Sequence, residues 1–96
     1  MPKIMKLEAS PLKTKRFRVY LDDNSHYDFG LKGATTWLDG ADKKTRMNYL
    51  ERHLTNPLEK ELITNMKPSP ALFSAYLIWG RSRDIRENIK YLNTKL

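Results

Sequence analysis

The chain has 96 residues and no cysteine, with 40% hydrophobic residues, 30% charged residues and a net charge of +7. That length supports one domain around a single modest core, and the missing cysteines exclude disulfides, a thiol nucleophile and thiolate metal sites. No apolar run approaches the ~18–20 residues that cross a bilayer, and MPKIMKLEAS lacks the continuous apolar stretch of a signal peptide.

Residues 1–14 contain Pro2 and Pro11 and little periodicity, which predicts a basic extended arm. Charge concentrates around it. Residues 1–18 carry Lys3, Lys6, Lys13, Lys15, Arg16 and Arg18 against Glu8 alone, a net of +5. The other 78 residues carry twelve bases and ten acids, a net of +2. An arm of this kind suits phosphates, an anionic membrane surface or an acidic protein face; as a plain solvated tail it would aid solubility.

Residues 15–96 read as one α+β domain. RFRVYL (16–21) alternates, with Phe17, Val19 and Leu21 on one face and Arg16, Arg18 and Tyr20 on the other, the pattern of a half-buried strand. DDNS (22–25) supplies turn chemistry, and HYDFG returns with Tyr27 and Phe29 on one face. The expected unit is a β-hairpin over 16–29, which needs something to pack against. A connector over 30–41 is punctuated by Gly30, Gly33 and Gly40, where backbone angles closed to other residues are expected. Its glycine spacing fits neither nucleotide-binding fingerprint, and Trp37 is expected to plug it into the core.

The helical part runs over 42–96. Asp42 caps a helix to about Leu54, with Met47, Leu50 and Leu54 as the inward stripe and an Asp42–Arg46 surface pair. Asn56-Pro57 starts a second helix whose apolar face is Leu58, Leu62, Ile63 and Met66, ended by Lys67-Pro68. Ser69-Pro70 starts a third, ALFSAYLIW, stopped by Gly80. Ser82 opens a fourth with Ile85, Ile89 and Leu92 at helical spacing and Asp84 near its N-terminus. Apolar side chains wrap most of the third helix. That marks the central helix of a small core, because nucleic-acid stacking platforms place aromatics on exposed strands or loops. Arg81 and Arg83 follow Gly80 and are free in this reading to bind something acidic.

Three motifs then stand in order: YDFGLKG (27–33), DKKTRMNYLERH (42–53) and SAYLIW (74–79). With the basic strand before them and the tail helix after, they resemble a family of short virion-associated proteins of large nucleocytoplasmic DNA viruses infecting algae and protists. The resemblance spans most of residues 16–96. It departs at Ala34, where that family often has an aromatic, and at Ala75, where it often has an arginine; no role of that arginine carries over. What it implies is a viral origin and a place in the virion, or in the virus factory and host cytoplasm during assembly. It implies no activity.

Catalytic patterns are sparse. His26 and His53 lie 27 apart with no metal-ligand spacing; His26 is expected on the solvent side of the hairpin. His53 is expected to complement a helix C-terminus and hydrogen-bond its last carbonyls. The carboxylate pairs Asp22-Asp23, Asp39/Asp42 and Glu59/Glu61 read as a turn, a capping region and a solvated helix face. Arg46, Tyr49, Arg52 and His53 cluster on and around one helix. They suit a phosphate or carboxylate grip, or equally an Arg46–Asp42 pair with Tyr49 lying on the hairpin; the resemblance points to a specific role such as fixing the glycine connector. The expectation is a non-enzymatic protein with no cofactor, metal or small-molecule substrate. Its partners would be other virion proteins, with sequence-independent DNA binding through the six arm cations, Arg81 and Arg83 as the second reading.

Overall fold

The alternation of RFRVYL and the turn at DDNS build the hairpin as expected, and the sheet extends beyond it. The protein is described over residues 2–96 by a computed structural model. Strand β1 (Ile4–Ala9) pairs antiparallel with β2 (Lys15–Leu21), which pairs antiparallel with β3 (His26–Leu31), giving the order β1-β2-β3. Four helices follow: α1 (Lys43–Thr55), α2 (Pro57–Thr64), α3 (Pro70–Phe73, continued by a π-helical turn over Ser74–Ile78) and α4 (Ile85–Lys95). The fold is α+β.

Much of the segment expected as an extended arm forms an edge strand. Its period was hidden by a bulge between Ile4 and Lys6. An extra residue lets Ile4 and Leu7 both face inward although they are three apart. Ile4 is buried and Leu7 sits opposite Val19. The edge is tied further by Ile4, whose N–H donates to Asn93 Oδ1 at 2.9 Å and whose carbonyl accepts from Asn93 Nδ2 at 3.2 Å.

One sheet face packs on the helices. Val19, Phe29, Leu72, Phe73, Leu77 and Leu92 are fully buried, and Phe29 and Phe73 meet ring to ring at 6.0 Å. Each such side chain contributes roughly 1.5–3 kcal/mol through burial. The third helix is thus the core of the fold, as its sequence implied, with Trp79 buried and Tyr76 half-buried. The other sheet face is a charged ladder. Arg18 forks onto Asp28 at 3.0 and 3.0 Å, and the Tyr20 hydroxyl donates to Glu8 at 2.7 Å.

The caps at Asp42, Asn56 and Ser69 form as read, each side-chain oxygen accepting a backbone N–H of the first turn. The fourth helix starts later than expected, capped by Asp84 rather than Ser82. The stripes of α1 and α2 also differ. Leu58 of α2 is 66% exposed, and in α1 Met47 is 65% and Leu54 40% exposed, because α1 turns Arg46 and Tyr49 inward beside the expected Leu50. The Tyr49 ring lies flat on Trp79, centroids 4.4 Å apart and 13° from parallel. Contact between those rings sets the rotation of α1, which no periodicity within α1 encodes.

Gly80 ends the third helix for a reason other than backbone freedom. A Cβ there would lie 2.1 Å from the Tyr76 carbonyl oxygen and 2.7 Å from Asn88 Cγ. Asn88 is itself buried and closes the turn. Its amide donates to the Leu77 and Ser82 carbonyls at 2.8 Å each, and its oxygen accepts from Ser82 N–H at 2.9 Å.

Candidate functional site

Most of the cations singled out in the sequence are engaged within the chain. Arg16 grips Asp39 through two bonds of 2.6 and 2.7 Å, and Arg18 grips Asp28. Both carboxyls are held below the usual carboxylate range, first by these guanidiniums. Lys3 donates to the carbonyls of Asn93 and Leu96 at the end of α4, at 2.7 and 2.8 Å, and Lys6 lies 3.3 Å from Glu8. Lys13 and Lys15 remain outward, near Lys32, where Lys32 N–H bonds the Thr14 carbonyl at 3.0 Å and Lys15 sits opposite Leu31.

Arg83 is not free for an acidic partner. Its guanidinium lies 3.7 Å from the Trp37 ring centroid and donates to the carbonyls of Trp37 and Ala41 at 2.8 and 2.9 Å. Arg46 does not pair with Asp42. Its Nε reaches the carbonyls of Trp79 and Gly80 at 3.1 and 3.0 Å, with its guanidinium 5.5 Å from the same Trp37 ring. A planar fork suits this joint use of carbonyls and a ring. The two arginines clamp the glycine connector onto the start of the tail, one of the internal roles anticipated for Arg46. In the connector Gly30, Gly33 and Gly40 all take the left-handed conformation. Asp39 Oδ2 accepts from Thr36 N–H at 2.9 Å. Arg81 lies over the Tyr91 ring at 4.5 Å.

The other half of the motif cluster lines a groove of about 490 Å³ between the sheet end, the connector, α1, α2 and the third helix. His53 Nδ1 lies 2.6 Å from a Glu59 carboxylate oxygen, instead of serving the carbonyls that end α1. The break at Asn56-Pro57 folds α2 back so that residues six apart meet. A helix break three residues after a histidine is the only signal in the sequence for this pair. Tyr49 lies between Trp79, on which it stacks, and His53, whose tilted ring has its centroid 4.1 Å away. Burial pushes the Tyr49 phenol up, opposed by the Ser74 hydroxyl beside it and by Arg52, and reinforced by Glu59. Tyr49 therefore stays a donor. Ser74 opens the π-helical turn, in which Trp79 N–H bonds the Ser74 carbonyl at 3.0 Å; such turns recur at functional sites.

His26 lies on the outer sheet face beside Tyr20, rings 6.0 Å apart, and is not brought to His53. Among the described residues no three His, Asp or Glu side chains come together as metal ligands, and no helix is long and apolar enough to cross a membrane. The arrangement offers cations, the Tyr49 hydroxyl and the His53 ring at one groove.

Such a fold and groove define a small α+β protein with a cleft of mixed polar and apolar lining at the sheet end. The chain belongs to a family of unknown function (DUF5754), which matches residues 5–53, from β1 to His53 in α1. Neither a curated protein nor a solved structure gives a match.

Proposed function

We propose that the protein is a non-catalytic virion structural component of a large DNA virus, a minor capsid or internal protein working through protein–protein contacts. The observation that carries this reading is the internal engagement of most of the cations expected to bind phosphate. Lys3, Lys6, Arg16, Arg18 and Arg83 all have partners in the chain, which removes most of the expected phosphate-binding set. Large apolar side chains meanwhile stand outward, with Met5 71%, Met47 65% and Leu58 66% exposed, which suits contact with neighbouring proteins. The resemblance to virion-associated proteins adds to it. Quantitative mass spectrometry of purified, nuclease-treated particles tests the reading. The expected result is retention at a fixed ratio to the major capsid protein, and loss of the protein from intact particles would overturn it.

A second reading, sequence-independent DNA binding, is favoured by Lys13, Lys15 and Lys32 gathered at one end of the sheet. Three phosphate contacts give a log–log salt slope of about −2.7. Removing residues 1–14 is a poor test, because it deletes β1. Replacing the three lysines with glutamine leaves the sheet intact. A duplex-binding salt series in which this triple variant loses the slope would support DNA; no binding at low salt would eliminate it.

A further inference from the structure

We propose that the groove at the sheet end binds a phosphate monoester, with Arg52 and Lys15 taking the anion. This goes beyond the virion reading and does not depend on it.

Partners of the arginines single out the first of these residues. Arg16, Arg18 and Arg86 pair with carboxylates, Arg46 and Arg83 with carbonyls, and Arg81 with the Tyr91 ring. Arg52 alone has no such partner among the described residues, and it lines the groove with Lys15, which has none either. Two cations from different elements, α1 and β2, thus face one concave space. Unpaired arginine on a convex surface is unremarkable; held at a cleft it is the usual grip for a phosphate.

The rest of the lining suits an anion. Glu59 is the only acid in it, and His53 already occupies that carboxylate at 2.6 Å. Tyr49 adds a hydroxyl donor, with the Ser74 hydroxyl beside it. A carboxylate ligand would be satisfied by one arginine fork. Two cations with a hydroxyl donor instead match a dianion with three terminal oxygens. At about 490 Å³ the space is of small-ligand size. Its wall includes the half-buried ring of His53, tilted 38° from Tyr49, an aromatic surface that favours a phosphate attached to a flat organic group over the bare ion. An internal DNA phosphodiester fits less well, because it carries one charge where two cations face the groove.

The test is titration of the intact protein with inorganic phosphate and, separately, with adenosine monophosphate at constant ionic strength, followed by backbone amide shifts and tryptophan fluorescence. Saturable shifts around Arg52 and Ser74 are expected. Arg52→Gln is exposed and should fold normally; it should weaken binding about tenfold or more, the loss of a charge-assisted hydrogen bond. Arg86→Gln, distant on α4, should leave affinity unchanged. Tighter binding of the nucleotide assigns the aromatic wall to an organic group, and equal binding assigns the site to phosphate itself. Absence of saturation by roughly 10 mM of either ligand, or affinity indifferent to Arg52→Gln, overturns the proposal.

Discussion

Asn88→Ala is the most informative single change in the core, because one buried side chain closes the turn between the third helix and α4. Three bonds of 2.8, 2.8 and 2.9 Å are lost together. At about 1 kcal/mol net each, they sum to roughly 3 kcal/mol. Leu77 is fully buried, so its carbonyl stays dry and unpaired, adding about 1 kcal/mol or more. Alanine returns up to ~0.7 kcal/mol through better helix propensity. A net loss of about 3–4 kcal/mol results, a large share of the ~5–15 kcal/mol that holds a domain of this size. It corresponds to a fall in Tm of very roughly 12–30 °C. Urea and thermal unfolding followed by circular dichroism measure it directly. Asn88→Asp separates hydrogen bonding from volume: one oxygen still accepts from Ser82, but the other faces two carbonyls, so at neutral pH it should be no more stable than the alanine variant. A loss below about 1 kcal/mol for alanine, with an unchanged denaturant slope, would refute the reasoning.

Two further outcomes follow from the same geometry. Asp39 has its folded-state pKa depressed by Arg16 and Thr36; its contribution is therefore complete above the unfolded value of about 3.9 and is lost as pH falls through the folded value. Tm measured from pH 7 to pH 2 should drop below about pH 4, and Asp39→Asn should lower Tm at neutral pH while flattening that acid limb. An unchanged limb would remove the Arg16–Asp39 pair from the account. Trp79 is 6% exposed and covered by Tyr49, so in a Trp37→Phe background its fluorescence should resist iodide, and ready quenching would contradict the packing of α1 on the third helix.

How much was legible from residues alone varies by element. The hairpin, the caps at Asp42, Asn56 and Ser69, the left-handed glycines of the connector and the burial of Leu72, Phe73, Leu77 and Ile78 all follow from local chemistry. In each, the deciding interaction lies within a few residues or within one periodic face. β1 was obscured because a bulge breaks the alternation that announces a strand. The rotation of α1 was obscured because Tyr49 answers to Trp79, thirty residues on, rather than to its neighbours in the helix.

The candidate site divides the same way. Sequence by itself singled out Arg46, Tyr49, Arg52 and His53 as a cluster and located the excess charge near the N-terminus. Only the tertiary structure decided which cations have partners. A guanidinium is equally charged whether it grips Asp39, clamps Trp37 or faces an open groove, and the difference lies in acceptors brought from 23 or 46 residues away. Charge is a property of composition, but its availability to a partner is a property of packing. That is why Arg83 belongs to the scaffold while Arg52 is left facing the groove.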